Sequence, residues 1–262
     1  MKDERPIGIF DSGVGGLTVL KVFRDRYPGE NFIYFGDTAR VPYGTKSEKT
    51  VVRYSMENSK FLEKFDVKLI VVACNTSSSI ALDVLKREFN VPVIGVVKPG
   101  SLAAVKVTKT GNVGVIGTEA TVKSGSYRKE ILLRAPLLNV YEKPCPLFVP
   151  LIEEGWIEDE ITMLVAKRYL SYFKDGKVDT LVLGCTHYPL LKSVIGKILE
   201  GVTLVDSAEE TVKETAKVLK GNLDEVGIGK VRVFVSDLNE RFEKIAEMIL
   251  ENRISIKEVS TE

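Results

Sequence analysis

Along the chain, short apolar runs typical of buried β-strands alternate with longer stretches in which apolar residues recur every three to four positions. The short runs predict strands near residues 7–10, 31–35, 68–73, 91–97, 112–116, 138–141, 180–184, 203–205, 231–236 and 254–257. The longer stretches predict helices near residues 17–27, 47–65, 79–89, 121–133, 159–173, 189–199, 208–220 and 239–252. Strands that alternate with helices in this way indicate βαβ units, so we predict an α/β fold with mostly parallel sheets flanked by helices.

The two halves of the chain repeat one plan. In each half an apolar run ends in a cysteine followed by two polar residues, at 71–76 (VVACNT) and 182–187 (VLGCTH). Near the start of each half stands a similar glycine-containing run, at 8–12 (GIFDS) and 114–118 (GVIGT). A duplicated unit would let the two cysteine-bearing loops face each other across a cleft. The alternative is a chance likeness, since apolar strands share composition.

Cys74 and Cys185 each follow a predicted strand, at the turn into a helix. Open parallel sheets bind ligands beyond the carboxyl ends of their strands, and a helix N-terminus lowers the pKa of a thiol from ~8.5 towards neutrality. A single cysteine at such a place is most simply a structural thiol, but two at equivalent places favour a chemical role. His187, the single histidine, would point the same way as Cys185 if both are extended, and would then stabilise a thiolate; a structural histidine is the alternative. Cys145, enclosed by two prolines, is predicted to be a packing thiol.

The glycine-rich segment 11–16 (DSGVGG) follows the first predicted strand and invites a nucleotide-binding interpretation. It fails the dinucleotide pattern because Thr18 stands where the third glycine is required, and it also lacks the lysine of a P-loop. We interpret it as a flexible turn that brings Asp11 and Ser12 to the edge of the sheet. A zinc site is disfavoured, because structural zinc uses closely spaced pairs and only the C-x-H at 185–187 is close.

Composition narrows the class of protein. A length of 262 residues, with 44% hydrophobic and 28% charged residues, suits one large or two small globular domains. A net charge of +1 without long runs of one sign predicts neither nucleic acid nor an anionic membrane as a partner. The chain starts with charged residues, and no apolar stretch approaches the ~20 residues that cross a bilayer. An odd number of cysteines does not suit a disulfide scaffold, so we expect a soluble, cytoplasmic protein.

Five segments resemble the glutamate racemases of the aspartate/glutamate racemase family, in the family's order and along nearly the whole chain. They are 8–16 (GIFDSGVGG), 36–44 (GDTARVPYG), 73–76 (ACNT), 150–155 (PLIEEG) and 184–189 (GCTHYP). The resemblance implies two pseudosymmetric, doubly wound α/β domains with the active site in the cleft between them. The first would comprise residues 1–97 and 208–262, and the second residues 98–207. It also implies a homodimer that interconverts L- and D-glutamate without pyridoxal phosphate, metal or any other cofactor, and so supplies D-glutamate for peptidoglycan.

Carried over residue by residue, the resemblance implies a role for each thiol. Cys74 would remove the α-proton of D-glutamate, and Cys185 that of L-glutamate. Asp11 would support the first thiol, and Glu153 and His187 the second. The residues implied to hold the substrate are Asp11, Ser12, Tyr43, Gly44, Asn75, Thr76, Thr118, Thr121, Thr186 and His187.

Inversion of an α-carbon without a cofactor requires a base on one face and an acid on the other, and two thiols suit this task. Positioned acid–base groups contribute about 10²–10⁴-fold, so donors aimed at the substrate carboxylate must supply the rest of the acceleration. No Lys or Arg adjoins either cysteine in sequence, so we expect neutral donors and helix N-termini to hold most of the substrate's charge. The alternatives are a racemase of aspartate or a related amino acid, and a non-catalytic ligand-binding protein on the same scaffold.

Overall fold

Ten strands form two separate sheets in the computed structural model, which describes residues 3–174 and 176–260. In chain order the strands are β1 (Ile7–Asp11), β2 (Phe32–Gly36), β3 (Leu69–Val72), β4 (Val93–Gly95), β5 (Asn112–Gly117), β6 (Asn139–Pro144), β7 (Thr180–Gly184), β8 (Thr203–Val205), β9 (Val231–Val235) and β10 (Ile256–Glu258). A six-stranded sheet has the order β10-β9-β2-β1-β3-β4, and a four-stranded sheet has the order β6-β5-β7-β8. Neighbouring strands in both sheets are parallel, as the sequence pattern predicts.

The two sheets share one topology. The order β2-β1-β3-β4 within the larger sheet matches β6-β5-β7-β8 in the smaller one, strand for strand along the chain. The strand before Cys74 is β3 and the strand before Cys185 is β7, which occupy equivalent places. The predicted duplication of one α/β unit is therefore visible in the strand order. The last two strands return to the larger sheet after the smaller one is complete.

The strands are connected by twelve α-helices and four short 3₁₀ turns in the part of the chain that the structure describes. The α-helices are α1 (Leu17–Arg26), α2 (Glu48–Glu63), α3 (Asn75–Ile80), α4 (Leu82–Glu88), α5 (Val97–Val107), α6 (Glu119–Ser124), α7 (Ser126–Arg134), α8 (Phe148–Glu153), α9 (Glu160–Leu170), α10 (Lys192–Ile198), α11 (Ala208–Val218) and α12 (Glu240–Leu250). The 3₁₀ turns are Thr38–Arg40, Tyr43–Thr45, Ser171–Phe173 and Tyr188–Leu191.

Two predicted helices are divided in the structure. The prediction for 79–89 becomes α3 and α4, which meet at Ala81, and the prediction for 121–133 becomes α6 and α7, which meet at Gly125. Gly125 has φ +62°, a left-handed conformation that glycine adopts without steric cost and that interrupts the helix. Helix α3 begins earlier than predicted, because residues 75–78 are polar although buried, and a polar run does not resemble an amphipathic helix.

The sequence pattern predicts no helix at α5 or α8. Helix α5 contains Pro99 and Gly100, which weaken a helical pattern, but Pro99 lies in the first turn, where its missing N–H is not required. Helix α8 has six residues, too few for a periodic pattern to be read. Both helices matter for the site, because α8 carries Glu153 and α5 connects the two sheets.

Helices cover both faces of each sheet. In the larger sheet, α1, α11 and α12 pack on one face, and α2 and α4 pack on the other. In the smaller sheet, α5 and α7 cover one face, and α8, α9 and α10 the other. Burial on both faces explains why the strands are continuous apolar runs rather than alternating ones. Among the described residues, no helix combines the length and the hydropathy that spanning a membrane would require.

Candidate active site

Cys74 lies just beyond the end of β3 and directly before α3. The residue is 4% exposed, and its Sγ donates a hydrogen bond to Oγ of Ser12 at 3.7 Å. Burial, and then the negative charge of Asp11, raise the pKa of the Cys74 thiol to about 12, although hydrogen bonds with Ser77 and Ser12 lower it. The expectation that the helix N-terminus brings this pKa towards neutrality is therefore wrong for Cys74, because burial outweighs the short helix.

Cys185 directly follows β7, and its thiol contacts His187, which in turn contacts Glu153. Its Sγ lies 3.8 Å from Nδ1 of His187, whose Nε2 lies 3.0 Å from Oε1 of Glu153. His187 has helical dihedral angles (φ −77°, ψ −34°), so the contact comes from a turn and not from the extended segment considered in the sequence. Burial alone would lower the pKa of His187, but the hydrogen bonds and charges of Cys185 and Glu153 raise it well above the usual value.

Asp11 connects the surroundings of the two cysteines. Its carboxylate is buried, with Oδ2 accepting a hydrogen bond from the Gly13 N–H at 3.0 Å and Oδ1 accepting one from the Thr186 hydroxyl at 3.1 Å. Burial raises the pKa of Asp11, although the charge of His187 and the hydrogen bonds lower it. The carboxyl end of β1 is thus bonded to the loop that follows β7, and its next residue, Ser12, contacts Cys74 in the loop that follows β3.

The glycines after Asp11 allow close packing rather than flexibility. A Cβ atom on Gly15 would lie 2.5 Å from Oγ1 of Thr186 and 2.6 Å from Nδ1 of His187. A Cβ atom on Gly16 would lie 2.4 Å from Cβ of Asp11. The segment is buried, so the prediction of a flexible turn is wrong. The glycines let the loop that follows β1 lie directly against the loop that follows β7.

A cluster of hydroxyls joins α3 to α6. Oγ1 of Thr76 lies 3.0 Å from Oγ1 of Thr118 and 3.3 Å from Oγ1 of Thr121, and the latter two atoms are 3.0 Å apart. A Cβ atom on Gly44 would lie 2.3 Å from Cβ of Thr118. Gly44 therefore brings its turn against α6, and these four predicted site residues lie together.

The Tyr43 hydroxyl is part of a hydrogen-bond network between the segment that follows β2 and helix α2. It donates to Asp37, and it accepts a hydrogen bond from Nδ2 of Asn58 at 3.0 Å. Nε of Arg40 donates to Asp37 at 2.7 and 2.9 Å, and Nη2 of Arg40 donates to Asn58 at 3.2 Å. Burial and the charge of Asp37 raise the pKa of Tyr43 well above its usual range, so Tyr43 is a neutral hydrogen-bonding group.

Asn58 and Tyr127 are two of the side chains that contact predicted site residues but were not predicted from the sequence. Asn58 in α2 bonds Tyr43, and Tyr127 in α7 accepts a hydrogen bond from Nδ2 of Asn75 at 2.6 Å. Each lies inside a helix, where its position matches an ordinary buried face, so no local signal marks it. Through Asn75 and the contacts above, the structure brings all the predicted site residues into one connected set: Asp11, Ser12, Tyr43, Gly44, Cys74, Asn75, Thr76, Thr118, Thr121, Glu153, Cys185, Thr186 and His187.

Cys145 is buried in the hydrophobic cluster of the smaller sheet, as the sequence predicts for a packing thiol. Burial raises its pKa, and its backbone carbonyl accepts a hydrogen bond from the Tyr188 hydroxyl at 2.8 Å. Within residues 3–174 and 176–260, no three His, Cys, Asp or Glu side chains are grouped so that they could hold a metal ion.

Comparisons of the chain with family models and with known proteins agree on one family. The model of the Asp/Glu/Hydantoin racemase family matches residues 19–215. The chain is 53% identical over 251 residues to the glutamate racemase of Aquifex aeolicus, and the match covers 96% of each chain.

Solved structures agree with that match. A glutamate racemase isoform from Bacillus anthracis superposes with a TM-score of 0.93 at 41% identity, covering 97% of both chains. The glutamate racemase of Francisella tularensis, in complex with D-glutamate, gives 0.92 at 42% identity, covering 98% of both. The aspartate racemase of Picrophilus torridus, with a TM-score of 0.59 at 19% identity, shares the fold alone. The family match covers most of the chain and the relatives match nearly all of it, so the chain belongs to the Asp/Glu/Hydantoin racemase family, and the resemblance to glutamate racemases in its motifs is confirmed.

Proposed function

We propose that this protein interconverts L- and D-glutamate through two thiols that act as acid and base, without a cofactor. The observation that carries the proposal is the equivalent placement of Cys74 and Cys185 after strands of two repeated sheets, with the end of β1 bonded to both loops through Ser12 and Asp11. The similar proteins named above are glutamate racemases, and one of them was solved with D-glutamate. The product D-glutamate would serve peptidoglycan synthesis.

The reaction is a transfer of one proton at each face of the α-carbon. Starting from D-glutamate, the Cys74 thiolate takes the α-proton, and the electron pair left on the carbon is shared with the adjacent carboxylate. The Cys185 thiol then gives its proton to the opposite face, which produces L-glutamate. Cys74 ends as a thiol and Cys185 as a thiolate, so the protein is left ready for the reverse reaction.

The surroundings support different roles for the groups beside each thiol. Asp11 would act on Cys74 through its charge, which raises the pKa of the Cys74 thiol and so strengthens the thiolate as a base. On the other side, the raised pKa of His187 favours an imidazolium, and the 3.8 Å contact lets its proton interact with the Cys185 sulfur. Glu153, which contacts His187, would hold the ring in place.

We assign substrate binding to the polar groups around the two thiols, most of which are neutral hydroxyl and amide donors. They lie on the segments that follow β1, β2, β3, β5 and β7, where a carboxylate can also meet backbone N–H groups. The proposed set is Asp11, Ser12, Tyr43, Gly44, Asn75, Thr76, Thr118, Thr121, Thr186 and His187.

We further propose two domains that follow the two sheets, residues 1–97 with 208–262 and residues 98–207, and a cytoplasmic homodimer. The return of β9 and β10 to the larger sheet supports the discontinuous first domain. Light scattering on the purified protein tests the dimer, which predicts twice the 29.0 kDa mass of the chain.

The experiment is exchange of the α-hydrogen. Purified protein incubated with D- or L-glutamate in D₂O, with no cofactor added, should racemise each enantiomer and place deuterium at Cα. Cys74→Ala and Cys185→Ala should each abolish racemisation, whereas the matched control Cys145→Ala should retain it. Turnover that persists in either of the first two variants would contradict the two-thiol mechanism.

The remaining alternatives give different outcomes in the same assay. A panel of glutamate, aspartate and related amino acids identifies the substrate. Faster turnover of aspartate than of glutamate would show that aspartate is the substrate. A non-catalytic protein on this scaffold would be stabilised thermally by a ligand without any loss of optical activity. The fold likeness to an aspartate racemase does not favour aspartate, because at that identity only the fold is shared.

A further inference from the structure

Tyr127 lies between the loops of the two cysteines. It belongs to α7, is 0% exposed, and its hydroxyl accepts a hydrogen bond from Nδ2 of Asn75 at 2.6 Å. Burial raises the pKa of Tyr127, whereas hydrogen bonds from the side chains of Asn75 and Ser207 lower it, so both side chains act as donors to the phenol oxygen. The phenol therefore links the residue after Cys74 to Ser207, two residues beyond the last strand of the smaller sheet.

The ring of Tyr127 packs where glycines leave room for it. A Cβ atom on Gly184, directly before Cys185, would lie 3.1 Å from Cε2 of Tyr127. A Cβ atom on Gly100 would lie 3.4 Å from Cε1 of Tyr127 and 3.1 Å from Cβ of Ser207. Gly100 and Ser207 lie on the two segments by which the chain passes from the larger sheet to the smaller one and back. One side chain thus contacts both passages and both cysteine loops.

The hydrogen bond decides which way the Asn75 amide faces. Asn75 is 3% exposed and can turn its N–H₂ or its carbonyl oxygen towards α7. The N–H₂ side meets the phenol, since Nδ2 donates to the phenol oxygen. The carbonyl oxygen and the second N–H of Asn75 are consequently presented away from Tyr127, in an orientation that does not depend on the substrate.

We infer that Tyr127 is a positioning residue of the active site, which fixes the amide of Asn75 for the substrate and holds the segment before Cys185 in register with it. The inference rests on the proposed glutamate racemase function, because Asn75 is a proposed substrate-binding residue. An ordinary core tyrosine would contribute to stability but would have no effect that depends on Asn75.

The test removes the hydroxyl and keeps the ring. Tyr127→Phe should raise KM about tenfold for both D- and L-glutamate, with kcat changed less, because a pre-oriented donor is lost while the thiols stay in place. Tyr169→Phe is the matched control. Tyr169 lies on α9 of the same half of the fold, and its hydroxyl accepts a bond only from the Leu147 N–H among the contacts described, at 3.4 Å. Its KM should be unchanged.

A double-mutant cycle separates positioning from stability. In an Asn75→Ala background, Tyr127→Phe should have no further effect on KM, because the group through which it acts is gone. Ser207→Ala supplies a second, independent variant, which should raise KM in the same direction by a smaller factor, since the phenol oxygen then loses one of its two donors and is held less firmly.

The outcomes are distinguishable. If the wild-type protein does not racemise glutamate, the proposed function fails before this test begins. If the wild type is active but Tyr127→Phe keeps the wild-type KM, or if its effect on KM adds fully to that of Asn75→Ala, the positioning role is overturned. If Tyr127→Phe unfolds, an unchanged KM in Ser207→Ala overturns it in the same way.

Discussion

The hydroxyl of Thr186 donates a hydrogen bond to Oδ1 of Asp11 at 3.1 Å, and this bond joins the loop of Cys185 to the end of β1, where the next residue, Ser12, contacts Cys74. Both residues are buried, at 6% and 0% exposure, so water cannot replace the bond when it is removed. A buried carboxylate that loses a donor bears the full cost of its desolvation. The relative position of the two proposed acid–base groups therefore depends on this contact.

The first prediction concerns that bond. Thr186→Val keeps the shape of the side chain and removes its hydroxyl, so we expect kcat/KM to fall about 10–100-fold in both directions, equivalent to about 1.4–2.7 kcal/mol. Thr186→Ser should restore most of the activity. The control is Thr162→Val, where a buried hydroxyl that donates to the carbonyl of Trp156 is lost far from the cysteines. Circular dichroism follows racemisation, and equal losses in the two valine variants would contradict the prediction.

The second prediction concerns the charge of His187. Burial lowers the pKa of His187, but Cys185 and Glu153 raise it well above its usual value, so Glu153→Gln should move it downwards. Because His187 is the single histidine of the chain, its imidazole signal in an NMR titration is unambiguous. The alkaline limb of the rate profile with L-glutamate should shift to lower pH in the same variant.

The raised pKa of His187 also makes the stability of the folded protein depend on pH. A folded pKa above the unfolded value of ~6.5 means that the contribution of His187 is complete below that pH and is lost as the pH rises through the folded pKa. In Glu153→Gln the loss should be smaller and complete at a lower pH than in the wild type, because only the folded pKa is moved. Glu154→Gln is the control, since Glu154 pairs with Arg241 at the surface and should leave the titration of His187 unchanged.

The third prediction compares two glycines. Gly44→Ala would place a Cβ atom 2.3 Å from Cβ of Thr118, so the turn and α6 must separate. We expect a loss of about 1–3 kcal/mol of stability and a KM raised at least about tenfold, measured by urea unfolding and by substrate titration. In contrast, Gly196 lies in α10 with no atom within 4 Å of a Cβ atom placed there. Gly196→Ala should stabilise the protein by about 0.5–1 kcal/mol and leave KM unchanged. A similar response of KM in both variants would show that the contact with Thr118 has no special role.

Much of this fold follows from local sequence patterns. Buried parallel strands leave continuous apolar runs, and the repeated cysteine at the end of such a run already places Cys74 and Cys185 at equivalent points. The positions of α5 and α8 could not be predicted, because Pro99 and Gly100 interrupt the pattern of one and the other is too short.

The missed parts of the site depend on contacts between distant segments. The bond from Asn75 in α3 to Tyr127 in α7 joins helices associated with two separate sheets, and no spacing in the sequence encodes it. The pKa of Cys74 also escaped local reasoning, since its position before a helix indicates a lowered pKa whereas burial raises it to about 12. Which effect is larger depends on the packed structure.

The last prediction concerns the ion pair that precedes β3. Nζ of Lys68 lies 2.8 Å from Oε1 of Glu30, with side-chain exposures of 2% and 3%, and it also donates to the carbonyl of Asp3 at 2.9 Å. Lys68→Met leaves the carboxylate of Glu30 buried without its cation, so we expect a loss of about 3–5 kcal/mol in urea unfolding.

The double variant Lys68→Met, Glu30→Gln provides the control for that prediction. It removes both charges and should recover a large part of the lost stability, because a buried pair is costly to break but not costly to replace as a whole. The pair lies at the amino end of β3, whereas Cys74 follows its carboxyl end, so the KM of the folded variants should match the wild type. Equal stability in the single and double variants would show that the charge of Glu30 is solvated after Lys68 is lost, and that the strand is held by its apolar contacts alone.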